Sequence, residues 1–198
     1  DIMPMLVDPG NIRYKVTPKF DRFSGVVEAA NAWLRVNIGY AVWKCETVER
    51  KVDPGASGKP PIVELEKMTI HHSTHGFNVF VRGLRLWLVR KMDHNPPQQL
   101  GLYNVVPDKL NLDWSTASAG HFMLDDPFYH TPGSKLAGLC TYDSMKDTIE
   151  KLNVQLKISP LPGTILNVES AMMKSFEFSP EFRVDPDSTT YTSEHKLK

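Results

Sequence analysis

Two stretches of this chain, 122 residues apart, carry the same residues at the same offsets, and that recurrence constrains the fold more than any short motif does. Phe20-Asp21 opens FDRFSGVVEAANAWLRV, and Tyr142-Asp143 opens YDSMKDTIEKLNVQLKI. Asp21/Asp143, Glu28/Glu150, Asn31/Asn153 and Leu34/Leu156 coincide, and one residue of slippage then brings Glu46 opposite Glu169. Apolar coincidences follow whenever two amphipathic helices are compared, because both repeat every three or four residues. Polar residues at a kept spacing carry more weight. They predict an α+β fold made of two tandem helix-plus-antiparallel-sheet units related by a pseudo-two-fold, an internal duplication whose second unit is incomplete.

Local signals supply the elements. Thr17-Pro18 offers an N-cap with proline at the first helical position, where a missing N–H costs nothing. Phe20, Phe23, Val26, Val27, Ala30, Trp33 and Leu34 follow on one helical face, and Gly39 stops the run. Tyr40 to Val52 is rich in β-branched and aromatic residues and reads as a strand, with a bulge expected near Cys45 to Thr47. Asp8-Pro9-Gly10 reads as a turn, 53–61 as a loop and 62–72 as a strand. Phe77 to Met92 is apolar on both faces, the pattern of a central strand. A second helix is expected from a cap at Thr141 or Asp143 to Pro160, and 164–178 is the expected counterpart of the first long strand.

These elements divide the 198 residues into a first α+β unit at 1–92, an irregular Pro/Gly-rich connection at 93–140 and a second α+β unit at 141–198, in one compact domain overall. A start at Asp1, without Met or an apolar leader, is expected of a processed form or a domain of a longer protein.

Charge narrows the function classes. Lys and Arg number 23 against 23 Asp and Glu, so no basic excess is available to neutralise phosphates, and nucleic acid is not an expected partner. No apolar stretch approaches the roughly 20 residues that span a bilayer, so the chain is expected to be soluble with no membrane span. Two cysteines, Cys45 and Cys140, are too few to indicate a redox compartment, and the sequence leaves the cellular location open.

Three clusters could carry chemistry. His71-His72-Ser73-Thr74-His75 is the densest in imidazole; adjacent strand residues point to opposite faces, so only one of His71 and His72 could join His75 on a zinc ion. Asp93, His94, His121 or His130 could complete such a set, and His72, His75 and His130 are the metal candidates. Solvated imidazoles at the end of a polar hairpin account for the same residues. Cys140 precedes the second helix, where a helix N-terminus lowers a thiol pKa, but no catalytic pattern surrounds it. Leu124-Asp125-Asp126-Pro127-Phe128-Tyr129-His130 joins two carboxylates to aromatics and reads as a solvated turn.

The function expected from these features is a non-enzymatic binding or protein-interaction module, with a groove for a small apolar ligand or a protein partner between the two repeated units. Trp114, Phe122, Phe128 and Tyr129 are its candidate lining, and no cofactor is required. A homodimer through an unfilled sheet edge is a further expectation. The alternative is a zinc enzyme built on His71, His72 and His75.

Overall fold

In the computed structural model the described residues are 1–11, 16–53, 60–63, 65, 77–92, 95–110, 141–171, 174–175 and 184–194. The elements in chain order are β1 (Leu6–Asp8), β2 (Lys19–Phe20), α1 (Phe23–Val36), β3 (Tyr40–Asp53), β4 (Ile62–Val63), β5 (Phe77–Arg90), β6 (Lys109–Leu110), β7 (Thr141–Tyr142), α2 (Met145–Ile158), β8 (Lys174–Ser175), β9 (Val184–Asp185) and β10 (Thr190–Glu194). Two helices with antiparallel sheets make this an α+β protein. The chain divides into two compact units, one comprising Asp1–Tyr103, Thr164–Lys174 and Asp185–Lys198, the other Asn104–Gly163 and Ser175–Val184.

The first unit is built on a four-stranded sheet in the order β10-β5-β3-β4. β3 and β5 are both 14 residues long and pair antiparallel from Tyr40↔Arg90 to Lys51↔Phe80. Side chains alternate across a strand, so this register sorts the two faces. Cys45, Thr47 and Glu49 lie on one face with Leu86, Leu84 and Arg82; Lys44, Glu46, Val48 and Arg50 lie on the other with Trp87, Arg85, Gly83 and Val81. On the first face α1 buries Phe23, Val26, Ala30 and Leu34 against Val42, Leu84 and Leu100. On the second, Val52, Val79 and Val81 are covered by Met3, Phe20 and Val63.

Helix α1 starts later than its sequence suggests. Lys19–Phe20 pairs with Leu6–Asp8 as a strand, and the N-cap position falls to Arg22, whose side chain makes no capping bond. Asp187 supplies the cap from the far end of the chain: its carboxylate accepts from the Ser24 N–H at 2.6 Å and the Ser24 hydroxyl at 2.9 Å, and its carbonyl accepts from the Phe23 N–H at 2.9 Å. A carboxylate at this end is also favoured by the helix dipole. The bulge in β3 is likewise displaced from the expected Cys45 to Thr47, since the register shifts between Val42 and Lys44. The Asp8-Pro9-Gly10 turn forms as expected, with the Gly10 N–H donating to Asp8 Oδ1 at 2.9 Å. Gly10 has φ of 60° and a Cβ there would stand 2.6 Å from the Val16 carbonyl, so only glycine fits.

An extended segment, 95–103, is strapped to this sheet and helix by two side-chain amides. Asn31, only 4% exposed in the middle of α1, donates from Nδ2 to the Leu100 carbonyl at 3.0 Å and accepts from the Leu100 N–H at 2.7 Å. Gln98 does the same for Val42, accepting from its N–H at 2.6 Å and donating to its carbonyl at 3.3 Å. Each amide takes the place of a strand, satisfying one residue's two backbone groups. Replacing Asn31 by alanine leaves the Leu100 N–H and C=O buried without these partners, and is expected to cost about 2 kcal/mol. The check is a urea titration, in which the midpoint should fall with unchanged slope; an unmoved midpoint would mean the strap adds nothing.

In the second unit, β6 and β7 pair antiparallel and α2 follows. Ser144 caps that helix, rather than Thr141 or Asp143: its hydroxyl accepts from the Asp147 N–H at 3.2 Å and donates to the Asp147 carboxylate at 2.6 Å, a reciprocal arrangement close to a capping box. Lys151 bridges Asp108 at 2.7 Å and Asp143, and that pair of carboxylates pushes its pKa up from the ordinary lysine value. None of the residues of α2 is buried, and Met145, Ile149, Val154 and Ile158 are exposed. Asn153, the counterpart of buried Asn31, is exposed. The expected strand at 164–178 is confined to Lys174–Ser175 among the described residues, while 164–171 runs without strand pairing.

Candidate functional site

His71, His72, His75, His94, His121, His130, Cys140, Trp114, Phe122, Phe128 and Tyr129 all lie outside the described residues, as does Asp93. Among the described residues no group of three or more His, Cys, Asp or Glu could hold a metal ion. No described helix is long and apolar enough to cross a membrane. Cys45 is a free thiol, half-buried against the core; burial, reinforced by the Glu169 charge, pushes its pKa up, which is the opposite of what a nucleophile requires.

The feature of the first unit that stands out lies where β5 ends. Backbone N–H and C=O groups of alternate strand residues point to the same edge. The Arg82 N–H donates outward to the Thr189 carbonyl at 2.7 Å, and Leu84 exchanges two bonds with Ile2 at 2.7 and 2.8 Å. By the same alternation Leu86, Leu88 and Arg90 turn their N–H and C=O groups to that edge. There, among the described residues, β10 has already ended at Val81 and Ile2 at Leu84, and nothing pairs with these three.

The margin along β3 is partly covered. Along β3, Gln98 occupies the Val42 backbone, the Glu169 carboxylate accepts from the Thr47 N–H at 3.0 and 3.1 Å and also from its hydroxyl, and β4 pairs with Val52 and Asp53. Side chains of this kind blunt an edge against further strand addition. Among the described residues, the run of β5 from Leu86 to Arg90 has neither a strand nor a side chain on its outer margin.

Apolar surface gathers at the same end. Trp87 (46% exposed), Leu88 and Val89 on β5 stand beside Tyr40 and Trp43 (67% exposed) on β3, and Trp33 on α1 lies 6.0 Å from Tyr40, ring to ring. Trp43 is the residue at the bulge, which leaves it out of register with β5. Several of the nearby charges are paired with one another. Glu46 accepts from the Trp87 indole N–H at 3.2 Å and meets Lys44 at 3.2 Å, and these contacts, Lys44 first, hold its carboxyl below the usual value. Arg85 is held by Asp1 at 2.6 and 2.8 Å, and Asp1 reaches Arg50 at 3.1 Å. Paired charges beside half-exposed aromatics lower the cost of drying that part of the surface.

No family model matches the chain, and neither the curated proteins nor the solved structures yield a match.

Proposed function

We propose that the chain is a non-enzymatic protein-interaction module whose docking element is the outer edge of β5 from Leu86 to Arg90. One observation carries this: three successive outward backbone pairs, at Leu86, Leu88 and Arg90, lack a partner among the described residues on a strand whose side chains there include exposed Trp87, Leu88 and Val89. A strand added to such an edge gains main-chain hydrogen bonds for affinity and alternate side-chain contacts for selectivity. The exposed apolar side chains there, Leu88 on one face and Trp87 and Val89 on the other, can supply those contacts. As part of the proposal, the two helix segments descend from one duplicated unit, a reading supported by Asp21/Asp143, Glu28/Glu150 and Asn31/Asn153 at constant spacing.

A random-peptide library displayed on phage and panned against the immobilised chain tests the proposal, with amide hydrogen exchange locating whatever is selected. Extended peptides with alternating apolar residues are expected, and they should slow exchange at Leu86, Leu88 and Arg90 while leaving Leu84 slow throughout. Edge amides that are already protected in the dilute chain, or binders that protect a different surface, would sink it.

A further inference from the structure

We infer that the occupant of this edge is the same edge of a second copy of the chain, paired antiparallel about a two-fold axis through Leu88. This rests on the interaction role proposed for β5 and adds the identity of the partner. The free edge begins after Leu84, which Ile2 holds, and ends with the strand at Arg90. Its middle residue is Leu88. Outward bonding falls on alternate residues, so Leu88 presents both N–H and C=O on the axis and can exchange both bonds with its own copy. Leu86 then meets Arg90 of the second copy, and all three free backbone pairs are satisfied on each chain.

Side chains agree with this register. Trp87 falls opposite the second copy's Val89, an aromatic beside a β-branched residue, and Leu88 falls opposite Leu88. Arg90 faces Leu86 rather than another Arg90. The one facing pair of cations is Arg85 with Lys91, and Arg85 is already neutralised by Asp1. Other registers do worse. Centring on Leu86 needs the Leu84 edge that Ile2 occupies, and centring on Arg90 sets Arg90 against itself. Centring on Trp87 brings Arg90 against occupied Leu84; centring on Val89 sets Leu86 against Met92, beyond the end of the strand.

Sedimentation velocity over a hundredfold range of concentration tests the pairing. Twice the chain mass is expected at the upper end, dissociating on dilution. Leu88→Pro removes an N–H that points away from β3, so it spares the β3 ladder while blocking the edge. Trp87→Lys leaves the backbone intact and places a cation against Val89, so it stands if the proline variant fails to fold. Each should weaken the dimer by at least tenfold. A dimer indifferent to a folded Leu88→Pro and to Trp87→Lys overturns the inference. A chain that stays monomeric throughout also overturns it, and panned peptides that still protect Leu86, Leu88 and Arg90 would then assign the edge to a different chain. Monomers on which no peptide protects those amides would take the interaction role down as well.

Discussion

Arg82→Ala is expected to lower stability by about 4 kcal/mol, a large share of the roughly 5–15 kcal/mol that holds a typical domain together. Arg82 is 3% exposed at the centre of β5, and its guanidinium lies 4.8 Å from the Phe23 ring centre. It donates from Nε to the Ser188 carbonyl at 3.1 Å and from one terminal nitrogen to Ser188 at 2.6 Å and Pro186 at 2.9 Å. Burial pulls its pKa down from the ordinary arginine value, offset by the charges of Glu49, Asp187, Glu169 and Asp185, so the group stays charged and its hydrogen bonds are of the stronger kind. Alanine leaves two carbonyls without these donors and a void beside Phe23. The turn that Arg82 grips carries Asp187, so the α1 cap is weakened with it. Arg82→Lys should recover only a minor part, since an ammonium cannot reproduce the planar fork. Urea denaturation read by far-ultraviolet circular dichroism measures both variants; a midpoint within error of wild type for Arg82→Ala would show that the 185–190 segment is held by β10 pairing alone.

Gly83→Val is expected to cost about 3 kcal/mol, lowering Tm by roughly 6–12 °C for a chain of this length. A Cβ at Gly83 would stand 2.6 Å from the Ile2 carbonyl oxygen and run into the Met3 sulfur. Methionine could swing aside; Ile2 cannot, because its N–H and C=O are both bonded to Leu84. The first residues must therefore lift from the sheet, taking Asp1 away from Arg85 and Arg50 and uncovering Val81. Exchange at the Leu84 amide should accelerate in the same variant. Gly39→Ala is the control, since a Cβ there meets nothing within 4 Å, and it should leave Tm within a degree or two. Equal losses at the two glycines would contradict the close approach at Gly83.

What could be foreseen from residues alone follows the range of the forces involved. The long strands β3 and β5 were legible in their β-branched and aromatic runs, and the core face of α1 was legible in Phe23, Val26, Ala30 and Leu34, because burial repeats with the local period. The start of α1 was not, because its cap is Asp187, 163 residues from Ser24, while the local proline signal at Thr17-Pro18 competes with pairing of Lys19–Phe20 against β1. Nothing near Val42 announces that a glutamine side chain will stand in for a strand there. Helical spacing does not ensure burial in α2, where Met145 and Ile149 lie four residues apart yet are exposed. The open edge depends on where β10 and Ile2 stop along β5, which is long-range topology. One local signal could have pointed to it: Trp87, Leu88 and Val89 are apolar on both faces, next to Arg90 and Lys91, at the end of a strand longer than α1 covers.

The amide of Gln98 and the carboxylate of Glu169 on β3 have a consequence for how far association can go. A sheet with two free edges grows without limit, each added copy offering its far side to the next, and fibres follow. Here, among the described residues, side chains hold the β3 margin at Val42 and Thr47 and β4 holds it at Val52 and Asp53, so a second copy seated on β5 as inferred would find little of β3 left to extend. Two plugs on one margin would favour a closed pair over an open-ended series.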